Sequence, residues 1–391
     1  WSQPGTSAYF GSTGYMTAKT WPEFKSALAD WGAPSENQVY ADTSGNIGMV
    51  SAGRIPKRPN WDGLMPVPGD GSYEWQGFLA LDELPVRENP RVGWLASANA
   101  MNLPRFYPYA KRKVGFEWSN PSRINRINEV LSGKSRFSVA DAMALQTDPT
   151  DVTLKLMTEP LQALTSADPA VVQARDILLS WDGRTTTDSA GAALYETWVH
   201  KHLGAAAVKL SAPEKAQALL GQGEIAAVMA WMNEKDGAAL RNQVLEVSLA
   251  ATMKELTGRL GPDARTWRWG DLHQARFEHA LTPLADPSDR PSLAAGPLPM
   301  AGTSLSPLAA TWRPDSFRVT AGASFRMVLD VGAWDNSRTI NTPGQSGEPD
   351  SAHFRDLFPL WARGDYVPLT YSRKAVEAVT EQVLVLTPAK P

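Results

Sequence analysis

The carboxamide of Asn99 is the side chain in this sequence best suited to chemistry. It closes the apolar run Gly93-Trp94-Leu95-Ala96-Ser97-Ala98. An asparagine NH2 can donate to an oxygen that is gaining negative charge, and it needs no titration to do so. One such donor lowers a barrier by about 3 kcal/mol. The plainer use of the residue is to end a strand and hydrogen-bond to backbone. Arg123 follows in Asn120-Pro121-Ser122-Arg123-Ile124, at the start of a predicted helix, where a surface ion pair is its simplest use. His200 and His202 also fall on a predicted helix, and side chains two apart diverge, so they do not share one metal. His273 and His279 follow Trp267-Arg268-Trp269-Gly270-Asp271-Leu272; packing and hydrogen bonding are the simpler role there, since zinc would want a third ligand and none is evident. Asp42, Ser44 and Asn46 alternate as in a calcium loop, but the later glutamate of an EF-hand is absent.

Several other chemistries lack their residues. The chain has no cysteine, which removes thiolate catalysis, disulfides and cysteine-ligated zinc. It has no Gly-x-Ser-x-Gly elbow and no Walker loop. Gly221-Gln222-Gly223 is not preceded by a strand, so a dinucleotide fold is poorly supported. With 391 residues, 43% hydrophobic and 20% charged, the chain can build a substantial core. A net charge of −3 argues against nucleic acid or an anionic membrane as partner. No apolar run is long enough to span a bilayer, and the opening Trp1-Ser2-Gln3-Pro4-Gly5 carries no signal-peptide pattern. The 15 tryptophans are either packing groups or, in part, the walls of an aromatic acyl pocket or a sugar-binding face; spacing does not choose.

These side chains need elements to hold them. Thr20 caps a predicted helix over 20–31 that has Pro22 in its first turn. Two strands, near 37–42 and 46–52, form a hairpin around Thr43-Ser44-Gly45-Asn46. Residues 53–92 are a long Pro- and Gly-rich excursion, and 93–98 read as a buried strand. Helical periodicity begins near 121, with Ile124, Ile127 and Val130-Leu131 on one face, and Ser138 caps the next helix. Long amphipathic stretches follow near 151–183, 189–209, 213–233 and 237–258. A loop over 284–310 leads to strand signals at 316–319 and 324–330, a helix near 351–363 and a last strand near 382–387. Strand, helix block and strand again predict an α+β body whose sheet pairs the first part of the chain with the last.

The order Tyr40-Ala41-Asp42…Gly45-Asn46-Ile47-Gly48, then the apolar run into Asn99, then Arg123, resembles the C-terminal part of the large (beta) subunit of the penicillin acylase family, a group of N-terminal-nucleophile hydrolases. Trp269-Gly270-Asp271-Leu272-His273, Pro343-Gly344-Gln345-Ser346-Gly347 and His353-Phe354-Arg355-Asp356 extend the likeness to about residue 373. It implies a four-layer αββα core, incomplete here, with a large helical insertion. Residues 1–120 would belong to that core, 121–283 would be the helical region, and 284–391 would return to the core. It implies Asn99 as the oxyanion donor and Arg123 as a group that orients the catalytic residues near the nucleophile and keeps a neighbouring α-amine neutral. The second asparagine common in the family is Ala100 here.

In that family a precursor cuts itself, and the new N-terminal serine attacks an amide with its own α-amine as base. The family's Ser-Asn-x-Trp start is missing here. Ser119-Asn120 continues as Pro121-Ser122 and lies between Asn99 and Arg123, and Ser2 is followed by Gln3-Pro4. The resemblance therefore implies a truncated or further processed subunit, inactive without the upstream segment. Its partners would be the alpha subunit and the N-terminal part of the beta subunit from the same precursor, its substrate a small N-acyl amide (penicillin G, an acyl-homoserine lactone or an acylated peptide), and its location periplasmic or secreted. No cofactor is required for the chemistry. A structural calcium has weak support, because Arg105 stands in Pro104-Arg105-Phe106-Tyr107-Pro108 where relatives often carry an acid. The competing reading is a non-catalytic, aromatic-rich protein that binds a ligand or carbohydrate.

Overall fold

The computed structural model describes residues 10–388, so Ser2 lies outside the described residues. The chain divides into two compact units. One runs to Ile124 and includes Val331–Ala333; the other holds Asn125–Asp330 and the chain from Trp334.

The first unit is built on helix α1 (Trp21–Ala27) and an antiparallel sheet of β1 (Glu36–Ala41), β2 (Ile47–Ala52) and β3 (Val86–Glu88), in the order β1-β2-β3. The Thr20 hydroxyl accepts from the Glu23 amide, and the Glu23 carboxylate accepts from the Lys19 amide, so both ends of the cap are satisfied. Trp21, Tyr40, Val50, Ala52 and Leu84 form the core with Leu28 and Trp31. Tyr40 pairs with Gly48 across the hairpin. A Cβ on Gly48 would lie 2.3 Å from the ring of Trp21, so the missing side chain is the space the indole fills. Asp42 closes the turn: its carboxylate accepts from the Ser44 and Asn46 amides, the Asn46 side chain and the Tyr40 hydroxyl. The alternating Asp-x-Ser-x-Asn is thus a turn built around one carboxylate, whose pKa those donors, led by Asn46, hold below the ordinary range.

Residues 53–85 form an irregular excursion, while the rest of the expected 53–92 stretch contains β3; the excursion is tied by Glu83, which pairs with Lys57 at 2.9 Å and whose carbonyl accepts from the Tyr107 hydroxyl at 2.8 Å. The Arg58 guanidinium lies 5.7 Å from the Trp61 ring and 5.8 Å from that of Trp75. Residues 93–98 do not form the expected strand. They follow a turn at Pro90–Gly93 and join no ladder. A short apolar run reads alike as strand or as extended loop when its hydrogen bonds come from side chains.

The second unit opens within α2 (Ser122–Ser132), whose first three residues belong to the first unit. The helical block is α3 (Val139–Gln146), α4 (Leu154–Ala163), α5 (Pro169–Ser180), α6 (Ala190–Thr197), α7 (Gly204–Ser211), α8 (Glu214–Leu220), α9 (Ile225–Met232), α10 (Ala238–Leu260) and α11 (Trp269–Leu272). Residues Trp198–Leu203 form a π-helical turn between α6 and α7. The Ser138 capping box starts α3 as expected, and Asp168 caps α5. Leu161, Val171, Leu178, Leu194, Trp198, Leu249 and Trp269 are wholly buried in the core of this block.

The remaining strands are β4 (Gln274–Glu278), β5 (Ala294–Pro299), β6 (Ala310–Trp312), β7 (Val319–Gly322), β8 (Phe325–Val328) and β9 (Arg338–Asn341). Helix α12 (Phe358–Arg363), strand β10 (Val367–Pro368) and helix α13 (Arg373–Ala378) follow. They form the pairs β4-β5 and β6-β7 and the sheet β10-β9-β8, all antiparallel. Residues 284–310 are therefore not all loop, since β5 lies within them. The expected pairing of first and last segments is not among these ladders; each sheet joins strands close in sequence, for which loop closure costs least. Residues 382–387 form no strand, and their side chains are exposed.

Candidate functional site

Asn99 and Arg123 meet. The Arg123 Nη2 donates to Asn99 Oδ1 at 3.0 Å. Asn99 has φ +59°, a left-handed conformation that asparagine tolerates better than most residues. Its carbonyl accepts from the Ser119 amide at 3.1 Å. Its side chain is exposed, and its Nδ2 donates to no other described residue. The carboxamide is therefore held by its oxygen, with its NH2 available as a donor.

Arg123 is placed by the start of α2. Asn120 Oδ1 accepts from the Ser122 amide at 2.9 Å, and Pro121 sits where a first turn needs no N–H. Ser119-Asn120 thus anchors Asn99 from one side and caps the helix on the other. A cation in the first turn opposes the helix dipole. Arg123 is half-buried, has no carboxylate within salt-bridge distance among the described residues, and has its pKa lowered by that burial. Among the described residues its charge is met by the Asn99 oxygen and not by a carboxylate.

The loop that carries Asn99 hangs on a third residue. Asn37 on β1 donates from Nδ2 to Ser97 Oγ at 2.8 Å, and its Oδ1 accepts from Asn102 Nδ2 at 2.9 Å and from Ser51 Oγ at 2.8 Å. Sequence reasoning passed over Asn37. Its only signal is a polar residue that alternates with Val39 and Ala41 on the exposed face of a strand.

The histidines have separate environments. His273 is fully buried, stacks 4.6 Å from Trp269, and its ring nitrogens face the Met300 and Ala310 carbonyls; burial lowers its pKa. His279 accepts from the Leu281 amide. His200 lies 3.3 Å from Glu196 and His202 2.8 Å from Glu255, each against its own carboxylate. Glu196 is fully buried and also accepts from the Trp312 indole at 3.2 Å, and near it Asp151 has its pKa raised to about 6 by burial and then by Glu196. Trp21, Trp31, Trp198, Trp267, Trp269, Trp312 and Trp361 are core residues. In Pro343-Gly344-Gln345-Ser346-Gly347 the backbone amides of Gln345 and Ser346 both donate to the His353 carbonyl, which approaches so closely that only glycine fits at 344.

The penicillin amidase family model matches residues 1–378 of this chain. The chain belongs to the penicillin amidase family. Among the relatives in this family is an acyl-homoserine lactone acylase, QuiP, of Pseudomonas putida, 33% identical over 397 residues, which cover 92% of this chain and 47% of the relative. Another is the penicillin acylase 2 proenzyme of Pseudomonas sp. strain SE83, 31% identical over 400 residues, covering 94% of this chain and 48% of that protein. The chain thus spans about half the length of these curated relatives. A thermostable penicillin G acylase from Alcaligenes faecalis shares the fold, with a TM-score of 0.67 over 98% of this chain and 73% of that one, at 20% sequence identity. The chain mixes helix and sheet.

Proposed function

We propose that this chain supplies the oxyanion side of the active site of an N-acyl amide hydrolase. Asn99 is the donor. Its NH2 hydrogen-bonds the oxygen of the tetrahedral intermediate as charge develops there. Arg123 fixes the carboxamide and polarises it: a guanidinium on Oδ1 draws electron density from the amide and strengthens the Nδ2–H donor. The observation that carries the reading is the 3.0 Å bond from Arg123 to Asn99 Oδ1, made by an arginine with no carboxylate within salt-bridge distance among the described residues.

The nucleophile is a serine in a part of the enzyme outside these 391 residues, with its α-amine as base. The serine oxygen adds to the amide carbonyl, the proton passes to the departing amine through the α-amine, and water then releases the acid from the acyl-enzyme. The segment bearing that serine and an alpha subunit, cut from one precursor, complete the four-layer αββα core, and the enzyme works in the periplasm or outside the cell. The names of the relatives support an acyl amide as substrate, whether a penicillin or an acyl-homoserine lactone. Burial of seven tryptophans in the core leaves less support for the sugar-binding alternative.

The test is reconstitution. The chain should show no amide hydrolysis alone and should gain it on assembly with the segment that carries the serine. A sulfonyl fluoride should label that serine in the assembled enzyme. Turnover by the isolated chain, or assembled enzyme that neither turns over nor takes the label, would refute the proposal.

A further inference from the structure

We propose that Asn37 is the positioning residue for Asn99. The proposal rests on the reading of Asn99 as the oxyanion donor. Residues 94–98 join no ladder, and the backbone bond at Asn99 comes from the Ser119 amide and not from the sheet. What holds this stretch to the sheet is a side chain. Asn37 bonds Ser97, two residues before Asn99, and Asn102, three residues after it, at 2.8 and 2.9 Å. The same carboxamide takes a third bond from Ser51, its register partner on β2, so its own rotamer is fixed by the hairpin. The turn that presents Asn99 is therefore bracketed on both sides by one group that stands on a regular strand. Asn37 bonds neither Asn99 nor Arg123, and its action is indirect: it sets the height and tilt of the turn over the hairpin.

A donor displaced by about 1 Å can lose on the order of a hundredfold in rate. Partial loosening of the turn should cost less. Asn37→Ala in the assembled enzyme should lower kcat about tenfold and leave KM within about twofold. Ser97→Ala and Asn102→Ala each remove one bond of the bracket and should lower kcat in the same sense by less, which keeps the test open if Asn37→Ala folds poorly. A double-mutant cycle decides the mechanism. In an Asn99→Ala background, Asn37→Ala should have no further effect on kcat, because nothing remains to be positioned.

Three results separate the possibilities. If Asn99→Ala leaves kcat unchanged, the oxyanion reading itself falls, and this proposal with it. If Asn99→Ala slows the enzyme but Asn37→Ala multiplies that loss by the same factor as in the wild type, Asn37 does not act through Asn99 and this proposal alone is overturned. It is overturned equally if Asn37→Ala, Ser97→Ala and Asn102→Ala raise KM with kcat intact.

Discussion

Arg123 grips Asn99 by its carbonyl oxygen, at 3.0 Å, so the end of the carboxamide left to face a ligand is the donor end. The flipped amide would set two donors against each other. Orientation is therefore dictated by charge, and under the proposed role the donor would need no reorganisation when a reaction begins.

Asn99→Asp separates the tether from the donor. Aspartate keeps an oxygen for Arg123 and tolerates the φ of +59°, so the loop should hold its shape. It cannot donate, and its charge repels an oxyanion. In the assembled enzyme kcat should fall by roughly 10²–10³ with KM little changed. Steady-state kinetics check this, and an unaltered kcat would contradict it.

Arg123→Met removes the grip and retains an unbranched apolar stem. The freed carboxamide can rotate, and kcat should drop on the order of a hundredfold. Arg123→Lys should recover part of the loss, since it restores one charge and one donor without the planar fork. Equal rates for the lysine and methionine variants would show that the charge on Asn99 Oδ1 is immaterial.

Gly48→Ala tests the packing beneath the hairpin. The new methyl would sit 2.3 Å from the Trp21 indole, which is buried. Overpacking of this kind costs about 1–3 kcal/mol. Thermal unfolding should show a lower Tm, and Gly48→Ala with an unchanged midpoint would mean that the indole has another place to go.

The second unit should lose stability as pH rises. Burial first, then the charge of Glu196, raise the pKa of Asp151 from the ordinary 3.8 to about 6. A raised folded-state pKa gives stability that is complete below the ordinary value and lost as pH climbs through 6. Burial opposes the charged form of His200, but Glu196 and Asp151 outweigh it and raise its pKa, so its contribution runs in the same direction. The Asp151 Oδ1 accepts from the Thr153 amide and hydroxyl, bonds that an asparagine oxygen can keep. Asp151→Asn should therefore make the fall in Tm between about pH 4 and pH 8 shallower, with only the part of the His200 contribution due to Glu196 remaining. A slope identical to wild type would sink the assignment.

The hairpin, its Asp42 turn, the capped α1 and the helices from α2 to α10 were legible because each rests on local rules: alternation, turn residues, caps and helical periodicity. The pair Asn99 and Arg123 was legible through its resemblance to a family. The residues around it were less so. The run 93–98 carries the apolar pattern of a strand, but its fastening comes from Asn37, 60 positions before Ser97. Such a bond leaves no periodic trace. Strand β5 hides in Ala- and Pro-rich sequence because its pairing with β4 depends on a neighbour and not on its own propensity. No strand among the described residues pairs with the apolar 382–387, which stays without regular structure.

A donor fastened by side chains has a practical corollary for redesign. The hairpin and the Asn99 turn are joined in sequence by a long detour, yet the Asn37 carboxamide bonds one to the other directly in space. The length of the detour is thereby uncoupled from the placement of the Asn99 carboxamide. Its exposed bends, such as Gly69-Asp70-Gly71-Ser72, can accept extra residues while the Asn37 bonds that hold the Asn99 turn stay in place.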